Sequence, residues 1–167
     1  ATFADLMIAE RPEGPVVDLA SGDGRNGLFL AARGLPVILA DRSEEALRKA
    51  KEAAAGVQGK VSIWKVDLEI PGENPLQDEA YSAILVFRYL HRPLMPCIRK
   101  ALRTGGFLLY STYTLEQARF GKPRNPDFLL KPGELMDWFK DWQVLHHFEG
   151  IQEDPRRAVA EMVCRKP

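Results

Sequence analysis

Residues 16–27 read VVDLASGDGRNG, a short β-branched run that gives way to small and polar residues and then to a helical pattern. Within it, Gly22-Asp23-Gly24-Arg25-Asn26-Gly27 is a literal G-x-G-x-x-G, the spelling of a dinucleotide fingerprint when it lies between a strand and a helix. Glycines there let the backbone turn tightly and approach a ligand closely, a need shared by many cofactors. The same letters also serve a tight turn with no ligand at all. Charge separates the ligand classes. A pyrophosphate at the helix start would be repelled by an acid inside the loop. Asp23 lies inside that loop, and Asp18 sits on the strand just before it.

Two more acids follow the next apolar runs. Residues 36–40 (PVILA) and 61–66 (VSIWKV) read as strands, with Asp41 and Asp67 immediately after them. In an open parallel sheet the carboxyl ends of neighbouring strands converge on one crevice. A ligand there meets several carboxylates, which suit ribose hydroxyls, amino groups and a sulfonium better than phosphates. S-adenosyl-L-methionine offers all of these.

The rest of the chain continues the alternation. Residues 26–33 predict a helix stopped by Gly34. Ser43 N-caps another, with Glu44 and Glu45 early and Arg48, Lys49 and Lys51 late, as the helix dipole favours. Residues 80–87 read as a fourth strand, 93–103 as a helix ended by Thr104-Gly105-Gly106, and 107–110 as a fifth strand. A helix is expected near 132–140. Strands at 142–149 and 157–165 are joined through 150–155, a length that suits a hairpin. Phe3, Leu6 and Met7 give a short first helix an apolar face. The expected fold is a three-layer α/β/α Rossmann-like sandwich, a single domain over 1–167. Its seven-stranded sheet is mostly parallel and ends in an antiparallel hairpin.

Composition agrees with one globular domain. The chain has 167 residues, 46% apolar and 28% charged, too apolar for a disordered segment. Lys plus Arg and Asp plus Glu are 23 each, so net charge does not point to a nucleic-acid partner. Cys97 and Cys164 have no metal-ligand spacing, and no metal site is expected. His146 and His147, adjacent on a strand, point to opposite faces and do not chelate one metal, with one expected in the core and one on the surface. No apolar run approaches the ~20 residues that span a bilayer, and the first residues lack a secretion signal. A cytoplasmic protein without a membrane partner is expected.

The ordered set Asp18-Leu19-Ala20-Ser21-Gly22-Asp23-Gly24, Asp41 and Asp67 resembles class I S-adenosylmethionine-dependent methyltransferases over essentially the whole chain. Their first motif is D/E-x-G-x-G-x-G, and Ala20 stands in the first small position here. The resemblance implies S-adenosyl-L-methionine as cofactor. It assigns the methionine end to Asp18 and the backbone of Ala20, Ser21, Gly22, Asp23 and Gly24, with Asn26 as a further candidate cofactor contact. Asp41 would take the ribose hydroxyls and Asp67 with Leu68 the adenine, with Arg42 and Phe87 as further candidate cofactor contacts. Within that class, GRNGLFLAARG, KPGELMDWFKDWQVL and the ending CRKP look most like small tellurite-resistance-type methyltransferases. Those relatives carry a His-Arg pair between the last two strands, and the connection here holds no such pair.

The same resemblance places acceptor chemistry after the fourth strand, in Phe87-Arg88-Tyr89-Leu90-His91-Arg92-Pro93. The N/D-P-P-Y of base-amino methyltransferases is not there. His91 is a candidate general base, Arg88 and Arg92 are candidate ligands for an anionic small molecule, and Tyr89 a stacking residue. Structural roles compete in each case: a helix flank for His91, surface salt bridges for the arginines, packing for Tyr89. The basic and aromatic stretch 113–128 is expected to overhang the crevice as a lid. The alternatives are an NAD(P)-dependent oxidoreductase, which the literal G-x-G-x-x-G supports, and a non-catalytic binding module.

Overall fold

The computed structural model describes residues 2–167. Its seven strands are β1 (Val16–Leu19), β2 (Val37–Asp41), β3 (Val61–Lys65), β4 (Tyr81–Phe87), β5 (Leu102–Tyr113), β6 (Gln143–Gln152) and β7 (Arg157–Arg165), and they form one sheet in the order β3-β2-β1-β4-β5-β7-β6. β1 to β5 pair in parallel, while β7 runs antiparallel to both β5 and β6. The chain leaves β1 toward β2 on one side and returns to β4 on the other. The reversal point, where such sheets bind ligands, therefore lies between the ends of β1 and β4.

Alternation along the strands loads both faces. Val16, Val37, Leu39, Ala83, Leu85 and Phe107 face one way, under α1 (Phe3–Glu10), α2 (Arg25–Ala31) and α3 (Glu44–Ala53). Val17, Leu19, Ile84, Val86, Leu108 and Tyr110 face the other, under α4 (Met95–Ala101) and α5 (Glu134–Phe139). The Ser43 hydroxyl accepts from the Ala46 amide at 3.1 Å and caps α3. Among the described residues, no helix is long and apolar enough to cross a membrane.

Four local expectations are corrected. The helix at 93–103 is shorter: a 3-10 turn at Arg92–Leu94 leads into α4, and Leu102 is already extended and paired with Tyr81. Thr104-Gly105-Gly106 does not end a helix but kinks a long strand. Gly105 is left-handed at φ +77°, and the register between β4 and β5 shifts beside it. β6 runs past Gly150 to Gln152, so the hairpin turn is tighter than expected. Neither His146 nor His147 is core: their side chains are 38% and 27% exposed, because β6 is an edge strand and shifts register between Val144 and His146.

Candidate functional site

The loop after β1 is built from tight backbone angles and carboxylates. Ala20 is left-handed at φ +53°, a conformation that costs a residue with a Cβ about 1–2 kcal/mol. Its amide neighbour Ser21 donates to the Ala40 carbonyl at 3.0 Å, which ties the loop to β2. Gly27 is glycine for a packing reason: a Cβ there would lie 2.5 Å from Leu39 Cδ2, so its absence lets α2 sit directly on β2.

The acids divide into two functions. Asp18 is buried, and its Oδ2 accepts from the Gly27 amide at 2.9 Å. Burial pushes its carboxyl up to about 7, against the pull of the Gly27 N–H and with help from the Asp41 charge. Asp23 Oδ1 lies 3.4 Å from the Arg25 amide. The first-turn amides of Arg25 and Gly27 thus already donate to carboxylates of the chain. Asp41 is half-buried and bridges two segments, with Oδ2 accepting from Gly22 N–H at 2.8 Å and Oδ1 from Ser43 N–H at 2.9 Å.

Two cavities meet at Ala20. The smaller, about 150 Å³, is walled by Asp41, Arg42, Val66, Asp67, Leu68 and Glu69, with Tyr89 across from them. Tyr89 donates its hydroxyl to Glu69 Oε1 at 2.9 Å, and burial together with that carboxylate raises its pKa. The buried Tyr110 hydroxyl donates to the Tyr89 carbonyl at 2.8 Å and fixes the backbone there. The larger cavity, about 510 Å³, is lined on the loop side by Ala20, Ser21, Gly22, Asp23, Arg25 and Asn26. Phe87 and Arg88 reach it from the end of β4, Arg88 with a left-handed φ of +54°. The Ser21 hydroxyl is buried at this wall without a hydrogen-bond partner.

Most residues assigned to a cofactor from the sequence therefore line one of these two cavities. Asp18 and Gly24 do not: Asp18 is buried beneath the loop, and Gly24, left-handed at φ +83°, packs against Leu39 at the start of α2. The acceptor candidates scatter. Arg88 lines the larger cavity and Tyr89 the smaller one. His91 lines neither and starts the 3-10 turn through its backbone carbonyl, which accepts from Leu94 N–H at 3.0 Å. Arg92 is engaged elsewhere. Its Nε and Nη2 donate to the Glu134 carboxylate at 2.7 and 2.9 Å, and Nη1 and Nη2 also reach the carbonyls of Asp127 and Leu129. Of the stretch 113–128, Tyr113 alone lines the larger cavity, while Phe128 is 52% exposed.

The far wall of the larger cavity was not anticipated. Ser111, Thr112 and Tyr113 come from the end of β5, and Gln152, Arg157, Val159 and Glu161 from the hairpin. Arg157 Nε donates to Gln152 Oε1 at 3.0 Å, and Gln152 Nε2 to Glu161 Oε1 at 2.9 Å. The His146 ring nitrogen stands 3.7 Å behind Glu161. The available signal was period two: Arg157, Val159 and Glu161 share one face of β7, with Ala158, Ala160 and Met162 on the other. Among the described residues, no group of three His, Cys, Asp or Glu side chains is arranged to hold a metal ion.

A family model described as tellurite resistance protein TehB matches residues 7–158. The chain is 27% identical over 160 residues to the "Probable S-adenosyl-L-methionine-dependent methyltransferase TehB" of Haemophilus influenzae, covering 92% of this chain and 55% of that protein. The crystal structure of TehB from Haemophilus influenzae superposes with a TM-score of 0.76 at 22% identity, over 99% of this chain and 60% of that one. A tRNA 5-carboxymethoxyuridine methyltransferase of Escherichia coli is 26% identical, over 84% of this chain and 65% of that protein. The chain thus spans about half the length of the TehB relative it matches in sequence.

Proposed function

The chain belongs to the tellurite resistance protein TehB family, and from that premise we propose that it binds S-adenosyl-L-methionine across the two adjoining cavities and transfers its methyl group to a small-molecule nucleophile. The single observation that carries this reading is the distribution of carboxylates. Asp41, Asp67 and Glu69 wall the smaller cavity, while Asp18 and Asp23 occupy the first-turn amides of α2. A dinucleotide needs those amides for its pyrophosphate, and here carboxylates of the chain itself already engage them. The donor set suits a nucleoside with hydroxyls, amino groups and a positive charge.

In this reading Asp41, already oriented by Gly22 and Ser43, accepts from the ribose hydroxyls with its remaining lone pairs. Asp67 and Leu68 hold the adenine, and Tyr89 covers it. The loop backbone from Ala20 to Gly24 holds the methionine end, where the unpartnered Ser21 hydroxyl has a donor to offer. Asp18 acts from below, fixing Gly27 and hence the start of α2. When bound, S-adenosyl-L-methionine supplies an electrophilic methyl group. The chain supplies position: Arg88 and Arg157 orient an anionic or polar acceptor, and Phe87 limits water beside it. A cavity of about 510 Å³ has the size of a small-molecule site, for which ~300–1,000 Å³ is usual.

Titration calorimetry tests the reading. S-adenosylhomocysteine is expected to bind one-to-one at about 1–100 μM, with NADH giving no heat. No binding of folded protein at about 1 mM, or NADH competing with S-adenosylhomocysteine, overturns it. Methyl transfer to bulk tRNA and not to small acceptors would replace the acceptor class.

A further inference from the structure

A third cavity, about 300 Å³, opens beside the larger one and shares Asn26 and Phe87 with it. Its other walls are Ala4 of α1, Phe29 and Leu30 of α2, Leu85 of β4 and Leu109 of β5. Asn26 is the one polar residue among them. An enclosed apolar cavity of about 150 Å³ is enough for a benzene ring, so this space accommodates a bicyclic ring or a branched aliphatic group.

The walls are held in place. Phe29 is 50% exposed, yet the Arg33 guanidinium lies 3.6 Å from its ring centroid and donates to the Phe29 carbonyl at 3.0 Å. The ring is therefore pinned by a cation. α1 is fixed by fully buried Met7, by the reciprocal Thr2–Asp5 capping box, and by Glu10, which pairs with Arg165 at 2.8 Å. Its contribution to the cavity is the small side chain of Ala4, which leaves the space open. A fixed, open apolar pocket next to a polar cavity bearing Arg25, Arg88 and Arg157 alongside Asp23 and Glu161, three cations to two carboxylates, is complementary to a polar or anionic head joined to an apolar ring.

We propose that the methyl acceptor is amphipathic, with a ring-sized apolar group seated among Ala4, Phe29, Leu30, Leu85 and Leu109 and its polar end in the larger cavity. This rests on the methyl-transfer reading for the word acceptor; the binding site itself does not depend on it. The pocket sets acceptor specificity through the size of the residue at position 4.

The probe is 2-naphthoate, with 2-naphthol, benzoate and inorganic sulfate as partial mimics, followed by amide NMR shifts on the 167-residue chain. 2-Naphthoate is expected to bind at about 1 mM or tighter, shifting the amides of Ala4, Leu30, Leu85 and Leu109, with sulfate leaving them unmoved. Ala4→Trp fills the pocket and should weaken 2-naphthoate about 10-fold or more while S-adenosylhomocysteine binds as before. Should Ala4→Trp not fold, Phe29→Ser at the exposed rim is the second variant, with a loss of about 5-fold expected. Arg157→Gln should weaken 2-naphthoate but not 2-naphthol. Absence of 2-naphthoate binding at about 10 mM, equal affinity in the pocket variants, or shifts confined to other residues overturns the proposal. A chain that binds 2-naphthoate here but no S-adenosylhomocysteine retains the pocket and loses the methyl-transfer reading.

Discussion

The two wings of the sheet build their halves of the site by different means. On the β1–β3 wing, the loop after β1 and the acids after β2 and β3 are each placed by their own strand end, and backbone amides do much of the work: Gly22, Ser43 and Gly27 all donate to carboxylates. On the β5–β7–β6 wing, the cavity wall comes from side chains that meet only because β7 inserts antiparallel between β5 and β6. Arg157, Gln152 and Glu161 then join across the hairpin. The first wing writes its site into contiguous sequence. The second assembles it through register.

That contrast can be broken or sharpened by measurement, beginning with the largest effect. Asp18 belongs to the first wing yet lines no cavity, so its contribution is to the fold. Burial holds its carboxyl at about 7 in the folded chain, above the ~3.9 of a free aspartate. The native state therefore binds the extra proton between those values, and stability falls as pH rises through that window, by up to about 4 kcal/mol. Urea unfolding from pH 4 to 7 should show this slope, and Asp18→Asn should flatten it. An unchanged slope in the variant would assign the pH dependence to other groups.

Arg92 marks the limit of the second wing. Its guanidinium clamps α5 and the chain before it through Glu134, Asp127 and Leu129. Arg92→Ala should lower unfolding stability by about 2–3 kcal/mol, because Glu134 is left part-buried without its partner. S-adenosylhomocysteine affinity should stay unchanged. A tight, well-folded variant that binds cofactor poorly would return Arg92 to the site.

Asp41→Ala addresses the first wing directly. It should weaken S-adenosylhomocysteine about 10-fold, or about 1.4 kcal/mol, as read by calorimetry. The smallest effect is expected at Ala20→Gly. Relief of the left-handed angle, worth about 1–2 kcal/mol, is offset by about 0.5–1 kcal/mol of added chain entropy. A net gain of about 0.5 kcal/mol in thermal or urea unfolding is anticipated.

What could be read in advance follows the same division. β1, β2, β4 and the glycine loop were legible because short apolar runs between turn signals leave few alternatives for a buried parallel strand. The length of β5 was not, because Gly105-Gly106 reads locally as a stop and functions as a kink once β4 pairs alongside. Residues 157–161 carried the right alternation. Their neighbours across the sheet, Ser111 and Tyr113, lie more than forty residues earlier, and no local signal states that pairing. The arginines after β4 illustrate the same physics. Arg88 and Arg92, four residues apart, part company: Arg88 takes a left-handed φ at the end of β4 and lines a cavity, while Arg92 opens the 3-10 turn and joins a clamp.

The Asp41 carboxylate has a consequence of another kind. Because each of its oxygens holds a different amide, one at Gly22 and one at Ser43, any guest drawing on that charge perturbs two distant resonances at once. Their correlated movement is an intrinsic gauge of occupancy that needs no label on the guest.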